Sequence, residues 1–239
     1  KLIPNAAFEI KDGMKRGLSG IPIPFHNALI GSPKEVNLDK CIQDQIQYFN
    51  EAQMPFVWYL DEKSHFEFKS ALLKQGFQDG GVLQGMISLL KKPALEVELP
   101  AGCVIELVNE ATINEFTDLA CEVFGMQKVK EQYKKVMWET TKSKSHPMMH
   151  WLVRKEGKAV SGVSTMKEGN VVSFWNCVTL EKERRQGLNA ALCQHALKEA
   201  FSKGCRISVS YLMADGMAYG VFSQLGHKTK WRYNAFIAP

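Results

Sequence analysis

The sequence lacks several features that would assign a protein to a common class. It has no apolar run long enough to span a membrane and no signal-peptide pattern, so we expect a cytoplasmic protein that does not bind a membrane. Its six cysteines include no C-x-x-C pair, which indicates no metal site and favours free thiols in a reducing compartment. Its net charge of +5 is small, and no basic stripe alternates with aromatic residues, which argues against a nucleic-acid partner.

The composition is that of a protein with a hydrophobic core. Hydrophobic residues make up 45% of the chain and charged residues 23%, and its 239 residues allow one large domain or two small ones. Pro93, Pro100 and Gly102 mark the best candidate for a linker. We therefore predict one domain over residues 1–95 and a second over residues 102–239.

A strand, a basic loop and a helix follow one another in the second half of the chain. β-Branched and aromatic residues predict the strand over residues 171–180, and apolar residues at four-residue spacing predict a helix over residues 188–202. The loop between them contains Arg184, Arg185 and Gly187. A helix start presents unpaired backbone N–H groups and the positive end of the helix dipole, and a glycine there lets a ligand approach the backbone. The loop is therefore either a phosphate or pyrophosphate site or a solvated surface turn.

Two motifs resemble those of the GNAT N-acetyltransferases. Arg184-x-x-Gly187-x-Asn189 resembles the acyl-CoA pyrophosphate loop of that family, whose pattern is Gln/Arg-x-x-Gly-x-Gly/Ala, and Asn189 departs from it at the last position. A second GNAT motif, Asn-x-x-Ala-x-x-x-Tyr-x-x-Leu-Gly-Phe, is matched by Ala218, Leu225 and Gly226. Its asparagine, tyrosine and phenylalanine are replaced by Asp215, Phe222 and His227.

The resemblance implies the GNAT acyl-CoA N-acyltransferase fold. This is an α/β (α+β) fold with a mixed, mostly antiparallel sheet flanked by helices. The first half of the chain repeats the order strand, helix, strand, helix, strand, and the whole chain is similar to a bacterial group of two-part, or tandem, GNAT proteins. Where the second half has its basic loop, residues 31–36 contain Pro33 and Glu35, which disfavour phosphate. We therefore expect a degenerate GNAT-like N-terminal domain without a cofactor; the alternative is a chance similarity of two αβ stretches.

The resemblance also implies a site for acetyl-CoA as co-substrate. In GNAT enzymes the end of the central strand pairs with the pantetheine chain, and the basic loop binds the pyrophosphate. The implied cofactor-binding residues are Cys177, Val178, Thr179 and Leu180 in the strand, Arg184, Arg185, Gln186, Gly187, Leu188 and Asn189 in the loop, and Asp215 and Phe222 in the second motif. A primary amine of the acceptor would then attack the acetyl group directly in a ternary complex.

The sequence offers one candidate for the catalytic acid and several for the base. The family's usual acid is a tyrosine at the position of Phe222, and phenylalanine cannot donate a proton. Tyr219 lies three residues earlier on nearly the same helix face and is our candidate acid, with a packed aromatic ring as the alternative. The base stays open among Glu168, His150, Asp215 and His227.

Two functions follow from these motifs. The first is an active N-acetyltransferase, monomeric or homodimeric, that acts on an amine-bearing acceptor. The alternative is a catalytically inactive GNAT-fold module that binds acyl-CoA or a protein partner. The segment Arg184-Arg185-Gln186-Gly187 favours the enzyme, whereas Phe222 and Asn189 favour the inactive module.

Overall fold

The computed structural model describes residues 6–33, 37–64, 66–94, 98–142 and 145–239. The strands are β1 (Ala7–Lys11), β2 (Met14–Leu18), β3 (Ala28–Ile30), β4 (Val57–Asp61), β5 (Gln78–Leu89), β6 (Cys103–Leu107), β7 (Met148–Lys155), β8 (Lys158–Glu168), β9 (Val171–Thr179), β10 (Ile207–Met213) and β11 (Lys228–Ile237). The helices are α1 (Leu38–Glu51), α2 (Phe66–Lys74), α3 (Ile113–Phe124), α4 (Lys130–Glu139), α5 (Leu188–Ser202) and α6 (Ala218–Gln224). None of these helices has both the length and the apolar character needed to cross a membrane.

The chain divides into two compact units. Unit 1 contains residues 1–84, 213–215 and 231–239, and unit 2 contains residues 85–212 and 216–230. The end of β11 therefore belongs to unit 1, and the second half of β5 belongs to unit 2. Each unit thus includes a strand segment from the other half of the sequence. It remains our proposal that residues 1–95 and residues 102–239 are two domains, each of them one copy of a repeat.

Unit 1 is built on the strand order β1-β2-β3-β4-β11. β3 and β4 are parallel, whereas β11 pairs antiparallel with β4 and places Ile237 opposite Val57 and Tyr233 opposite Asp61. Helices α1 and α2 add apolar side chains to its core. The buried core residues are Met14, Leu29, Cys41, Ile42, Phe49, Phe56, Trp58, Leu60, Phe68, Leu72, Phe77 and Phe236.

The hairpin formed by β1 and β2 is not among the elements expected from the sequence. Asp12 and Gly13, at its turn, have φ values of 52° and 79°, and an Asp-Gly pair is typical of a two-residue hairpin turn. This pair is a signal for the hairpin, and so is the alternation of Phe8 and Ile10 with Glu9 and Lys11 in its first strand, although both apolar side chains are exposed. The loop at residues 31–36, expected to be unsuited to phosphate, lies partly outside the described residues, since residues 34–36 are not among them.

Unit 2 is built on the order β5-β10-β9-β8-β7-β6. β5 contributes only its second half, because the unit begins at Gly85. β9 and β10 are parallel, and the pairs β9/β8, β8/β7 and β7/β6 are antiparallel. Successive residues of β7 face opposite sides of the sheet: the ring of Trp151 lies 4.9 Å from that of His195 on α5, and the ring of His150 lies 4.9 Å from that of Phe116 on α3. Helices therefore cover both faces, and the predicted fold class is confirmed.

Two histidines are buried in unit 2. His150 is 1% exposed, and burial, with a smaller contribution from His146, lowers its pKa to about 3. His227 is 3% exposed, and burial lowers its pKa to about 4, although hydrogen bonds to the backbone oppose that shift. Burial also lowers the pKa of His26 in unit 1. His150 and His227 are therefore neutral in the folded protein near pH 6, where an unfolded chain begins to protonate its histidines.

We predict that the protein loses stability between pH 6.5 and pH 5. The folded pKa values of His150 and His227 lie below the unfolded value of 6.5, so only the unfolded state takes up protons in this range. Each histidine therefore lowers the free energy of unfolding by up to about 1.4 kcal/mol per pH unit. Urea unfolding at pH 7, 6 and 5 measures this loss. Carboxylates with a lowered pKa, such as Glu115, add to the loss of stability only when the pH falls below their unfolded pKa of 4.5. His150→Gln and His227→Gln should each reduce the pH dependence, and a flat stability profile would contradict the assignment.

A second prediction concerns the part of β11 that belongs to unit 1. Phe236 is 4% exposed in the core of that unit, so Phe236→Ala should lower the free energy of unfolding by about 3–5 kcal/mol. The control is Phe8→Ala, because Phe8 is 67% exposed and its loss should change stability by less than about 0.5 kcal/mol. Chemical denaturation of both variants measures the difference, and equal effects would contradict a core role for β11.

Candidate active site

The two central strands of unit 2 separate from each other partway along their length. Their parallel ladder runs from the pair Val171–Ile207 to the pair Phe174–Ser210 and, among the described residues, stops there. β9 nevertheless continues to Thr179 and β10 to Met213. Beyond Phe174 the edge of β9 that faces β10 is therefore free to pair with an extended ligand chain, as sheet edges do with peptides. We call this opening the fork.

A β-bulge in β9 lies at the base of the fork. Ser164 of β8 pairs with Trp175, but Gly162 pairs with Val178, so Asn176 and Cys177 together oppose one residue of β8. Asn176 has a φ of 50°, in the left-handed region that non-glycine residues rarely adopt. The bulge shifts the alternation of side chains along β9 at the point where its pairing with β10 ends.

The predicted pantetheine-binding residues line one arm of the fork. Cys177, Val178 and Thr179 end β9, and Leu180 follows directly. Their bonds to β8 are made: Leu180 N donates to Val160 O at 3.0 Å, and Ser161 Oγ donates to Val178 O at 2.8 Å. These bonds hold the end of β9 against β8. The other edge of β9 faces β10.

The predicted pyrophosphate loop leads from the fork into α5. Arg185 and Gly187 have φ values of 63° and 76°, and Gly187 is the N-cap residue of the helix. The cap makes no side-chain hydrogen bond, and the first turn contains no acidic residue. Since the first four N–H groups of a helix have no partner within it, this helix start presents several unpaired donors and positive potential.

Polar side chains fix the conformation of this loop. Lys155 Nζ lies 2.8 Å from a Glu183 carboxylate oxygen and donates to Gln186 Oε1 at 3.1 Å. Arg184 Nε donates to Thr179 O at 3.3 Å, which connects the loop to the end of β9. The hydrogen bond from Lys155 holds the pKa of Glu183 below its ordinary value, so this carboxylate is ionised and paired. Within the described part of the chain no side chain neutralises Arg185, whose charge remains available to an anion.

The second motif places its residues in different environments. Tyr219 lies in the first turn of α6 and is 43% exposed. Phe222 is 2% exposed, with its ring 5.3 Å from that of Phe174 and 5.1 Å from that of His227. The prediction that Phe222 contacts the cofactor therefore has little side-chain surface to support it. Asp215 is exposed in the turn before α6 and belongs to unit 1.

Three candidate bases differ in their surroundings. Glu168 pairs with Val171 at the closed end of β9, about 20 Å along the strand from Cys177 at about 3.3 Å per residue. His150 and His227 are buried, and each is hydrogen-bonded to a serine, Ser164 or Ser208 respectively.

An exposed aromatic pair at the fork includes one residue that the sequence reasoning missed. The rings of Trp175 and Tyr211 lie 6.2 Å apart at 33°, and each residue is 42% exposed. Phe174, the residue before Trp175, is 3% exposed and belongs to the core. Alternation along β10, where Ser210 is buried, would have identified Tyr211 as outward-facing.

A cavity of about 500 Å³ lies elsewhere in unit 2. Residues 88–94 form one wall, and α5 with the end of α6 forms the other, through Ala190, Gln194, Leu197, Gln224 and Leu225. None of the residues predicted to bind the cofactor lines this cavity.

Comparisons with known proteins agree with this geometry. The family model described as the acetyltransferase (GNAT) family matches residues 113–226, which include the basic loop and the second motif up to Gly226. A search of curated proteins gives no match. Many solved structures share the fold.

Three of these structures are similar over most of the chain. A GCN5-related N-acetyltransferase from Kribbella flavida has a TM-score of 0.71 and 16% identity, over 100% of this chain and 91% of its own. One from Sphaerobacter thermophilus has a TM-score of 0.69 and 15% identity, over 88% of this chain and 72% of its own. A tandem GNAT protein from the clavulanic acid biosynthesis pathway has a TM-score of 0.65 and 13% identity, over 99% of this chain and 84% of its own.

At these identities the structural similarity establishes the fold alone, and the family model matches only residues 113–226. The similarity to a tandem GNAT protein over nearly the whole chain is consistent with the two-part architecture. Residues 113–226 thus resemble the acetyltransferase (GNAT) family, and the chain as a whole shares the fold of these GNAT structures.

Proposed function

We propose that this protein transfers an acetyl group from acetyl-CoA to a primary amine in a ternary complex. The observation that carries the proposal is the fork between β9 and β10, which opens directly before the Gly187-capped start of α5. Both features lie within the segment that matches the GNAT family. The acyl-transfer chemistry comes from the family, and the acetyl group and the amine acceptor are our proposal.

The residues at the fork fit an acyl-CoA molecule. The free edge of Cys177–Thr179 offers backbone groups to the pantetheine amides, and the N–H groups at the start of α5 offer donors to the pyrophosphate. Arg184 and Arg185 add positive charge beside those donors. Asn189 Nδ2 is buried, and no described residue accepts a hydrogen bond from it, which leaves an amide donor in the first turn of the helix.

The chemistry of the proposed step needs positioning and two proton transfers. The amine nitrogen forms a bond to the thioester carbonyl carbon, the carbon–sulfur bond breaks, the amine loses a proton, and the thiolate gains one. We assign the acid to Tyr219, whose exposed position at the start of α6 leaves its hydroxyl accessible. A backbone N–H at the fork would stabilise the charge that develops on the carbonyl oxygen.

In the described part of unit 1, the start of α1 differs from the start of α5 in the features on which we base the anion site, which supports our proposal that the N-terminal repeat is degenerate. Its corresponding helix, α1, is capped by Asn37, whose side chain accepts from Lys40 N at 3.1 Å, and Asp39 lies in its first turn. The cap occupies one of the free donors, and the carboxylate repels phosphate. We therefore expect one acyl-CoA site per chain.

Gly187→Glu should abolish acetyl-CoA binding. A non-glycine residue is strained at a φ of 76°, and the new carboxylate would lie among the N–H groups that bind phosphate. Isothermal titration of the wild type should give one site per chain, and the variant should bind at least about a hundredfold more weakly.

The matched control for this titration is Gly169→Glu. Gly169 also has a positive φ, 56°, and open space beside it, but it lies in the turn at the closed end of β9. This variant should bind as the wild type does. No binding by the wild type would contradict the cofactor proposal, and binding without turnover of any amine would support the inactive module instead.

Tyr219→Phe should lower kcat while leaving acetyl-CoA affinity unchanged. Loss of a general acid lowers turnover by about a hundredfold or more, whereas the ring that remains preserves packing. Release of free thiol, followed across a panel of primary amines, measures turnover. Tyr48→Phe in unit 1 is the control for the loss of one hydroxyl. An unchanged kcat in Tyr219→Phe would remove the assignment.

A further inference from the structure

A chain of buried polar side chains connects the end of α4 to the bulge in β9. Thr140 Oγ1 lies 2.6 Å from His150 Nε2, His150 Nδ1 lies 2.7 Å from Ser164 Oγ, and Asn176 Nδ2 lies 3.0 Å from Ser164 Oγ. Thr140, His150 and Ser164 are 3%, 1% and 0% exposed. We call these four residues the bulge network. None of the proposed steps of acyl transfer uses it.

The hydrogen bonds of the bulge network have one consistent direction. Thr140 Oγ1 donates its only proton to Met137 O at 2.5 Å, so toward His150 it is an acceptor and Nε2 carries the imidazole proton. A neutral imidazole then accepts at Nδ1, and the proton there comes from Ser164 Oγ. The remaining lone pairs of that hydroxyl accept from Asn176 Nδ2. Burial, which lowers the pKa of His150 to about 3, keeps the imidazole in the neutral form that this order requires.

The last member of the network is the residue with unusual backbone geometry. Asn176 has a φ of 50° and lies in the bulge where two residues of β9 oppose one of β8. Asparagine tolerates this conformation better than most residues, but the conformation still costs energy relative to extended backbone. A side-chain hydrogen bond to the neighbouring strand opposes a return to the regular register. Without the bulge every later side chain of β9 would change face.

We propose that Ser164 and His150 are positioning residues for acyl-CoA, which act by holding Asn176 in the bulge and so setting the register of Cys177–Leu180 at the fork. This inference rests on the proposed function. His150 then serves as a fixed hydrogen-bonding group and not as the general base, because both of its ring nitrogens are occupied inside the protein. The network also connects the C-terminal end of α4 to the strand that would hold the cofactor.

The test compares two serines that have the same local chemistry. Ser164 and Ser208 are each 0% exposed and hydrogen-bonded to a buried histidine, at 2.7 Å and 2.8 Å. Ser208 pairs with Val172, in the part of β10 where the ladder is intact, and so is not connected to the bulge. Ser164→Ala and Ser208→Ala should therefore lower the free energy of unfolding to a similar degree. Only Ser164→Ala should weaken acetyl-CoA binding, by about tenfold, the scale of one or two lost hydrogen bonds.

Amide hydrogen exchange of residues 177–180 in the ligand-free protein gives a second readout. Exchange there should be faster in Ser164→Ala than in Ser208→Ala or the wild type. Asn176→Gly, which accepts the positive φ without strain but has no side chain to bond Ser164, should show the same faster exchange and the same weaker binding. This variant keeps the proposal testable if Ser164→Ala does not fold.

The outcomes separate this inference from the proposed function. If the wild type does not bind acetyl-CoA, the proposed function fails, and exchange alone decides whether the network holds the bulge. Wild-type affinity and exchange in both Ser164→Ala and Asn176→Gly would overturn the positioning role. Equal loss of affinity in Ser164→Ala and Ser208→Ala would also overturn it, because the effect would then reflect stability in general.

Discussion

The site depends on one interruption of backbone hydrogen bonding, the end of the β9–β10 ladder at Phe174 and Ser210. A regular sheet satisfies its own N–H and C=O groups and has nothing to offer a ligand inside it. Because these strands separate while both continue, their inner edges are left for an extended molecule. The bulge at Asn176 stands where the separation begins. In our proposal, side chains on the β8 side of the strand hold this opening.

The proposal that the opening binds a phosphorylated ligand rests on the helix that follows it. α5 begins nine residues after the last residue of β9, with a glycine cap, no carboxylate in its first turn and two arginines just before it. α1 of unit 1 likewise connects two parallel strands, β3 and β4, but it starts with Asn37 as its cap and Asp39 in its first turn. The two halves of the chain thus share an order of elements, and the two helix starts differ in the free donors and charge that anion binding requires.

Local sequence patterns predicted the strand and the helix that form the proposed site. Features that depend on contacts between distant residues were not predicted. The predicted strand over residues 171–180 is β9, and the predicted helix over residues 188–202 is α5, because β-branched runs and four-residue spacing are local signals. The bulge at Asn176 could not be read from the sequence, since it is defined by the register against β8. The burial of Phe222 depends on Phe174, a distant residue. No local pattern indicates that the end of β11 belongs to unit 1 or that the second half of β5 belongs to unit 2.

Hydrogen exchange of the whole chain, measured with and without CoA, tests the central claim that the fork and the start of α5 form one acyl-CoA site. The account predicts slower exchange in residues 176–190 when CoA is bound, with no change at the start of α1. Slower exchange confined to residues 88–94, which line the separate cavity, would contradict it, as would no change anywhere in the chain.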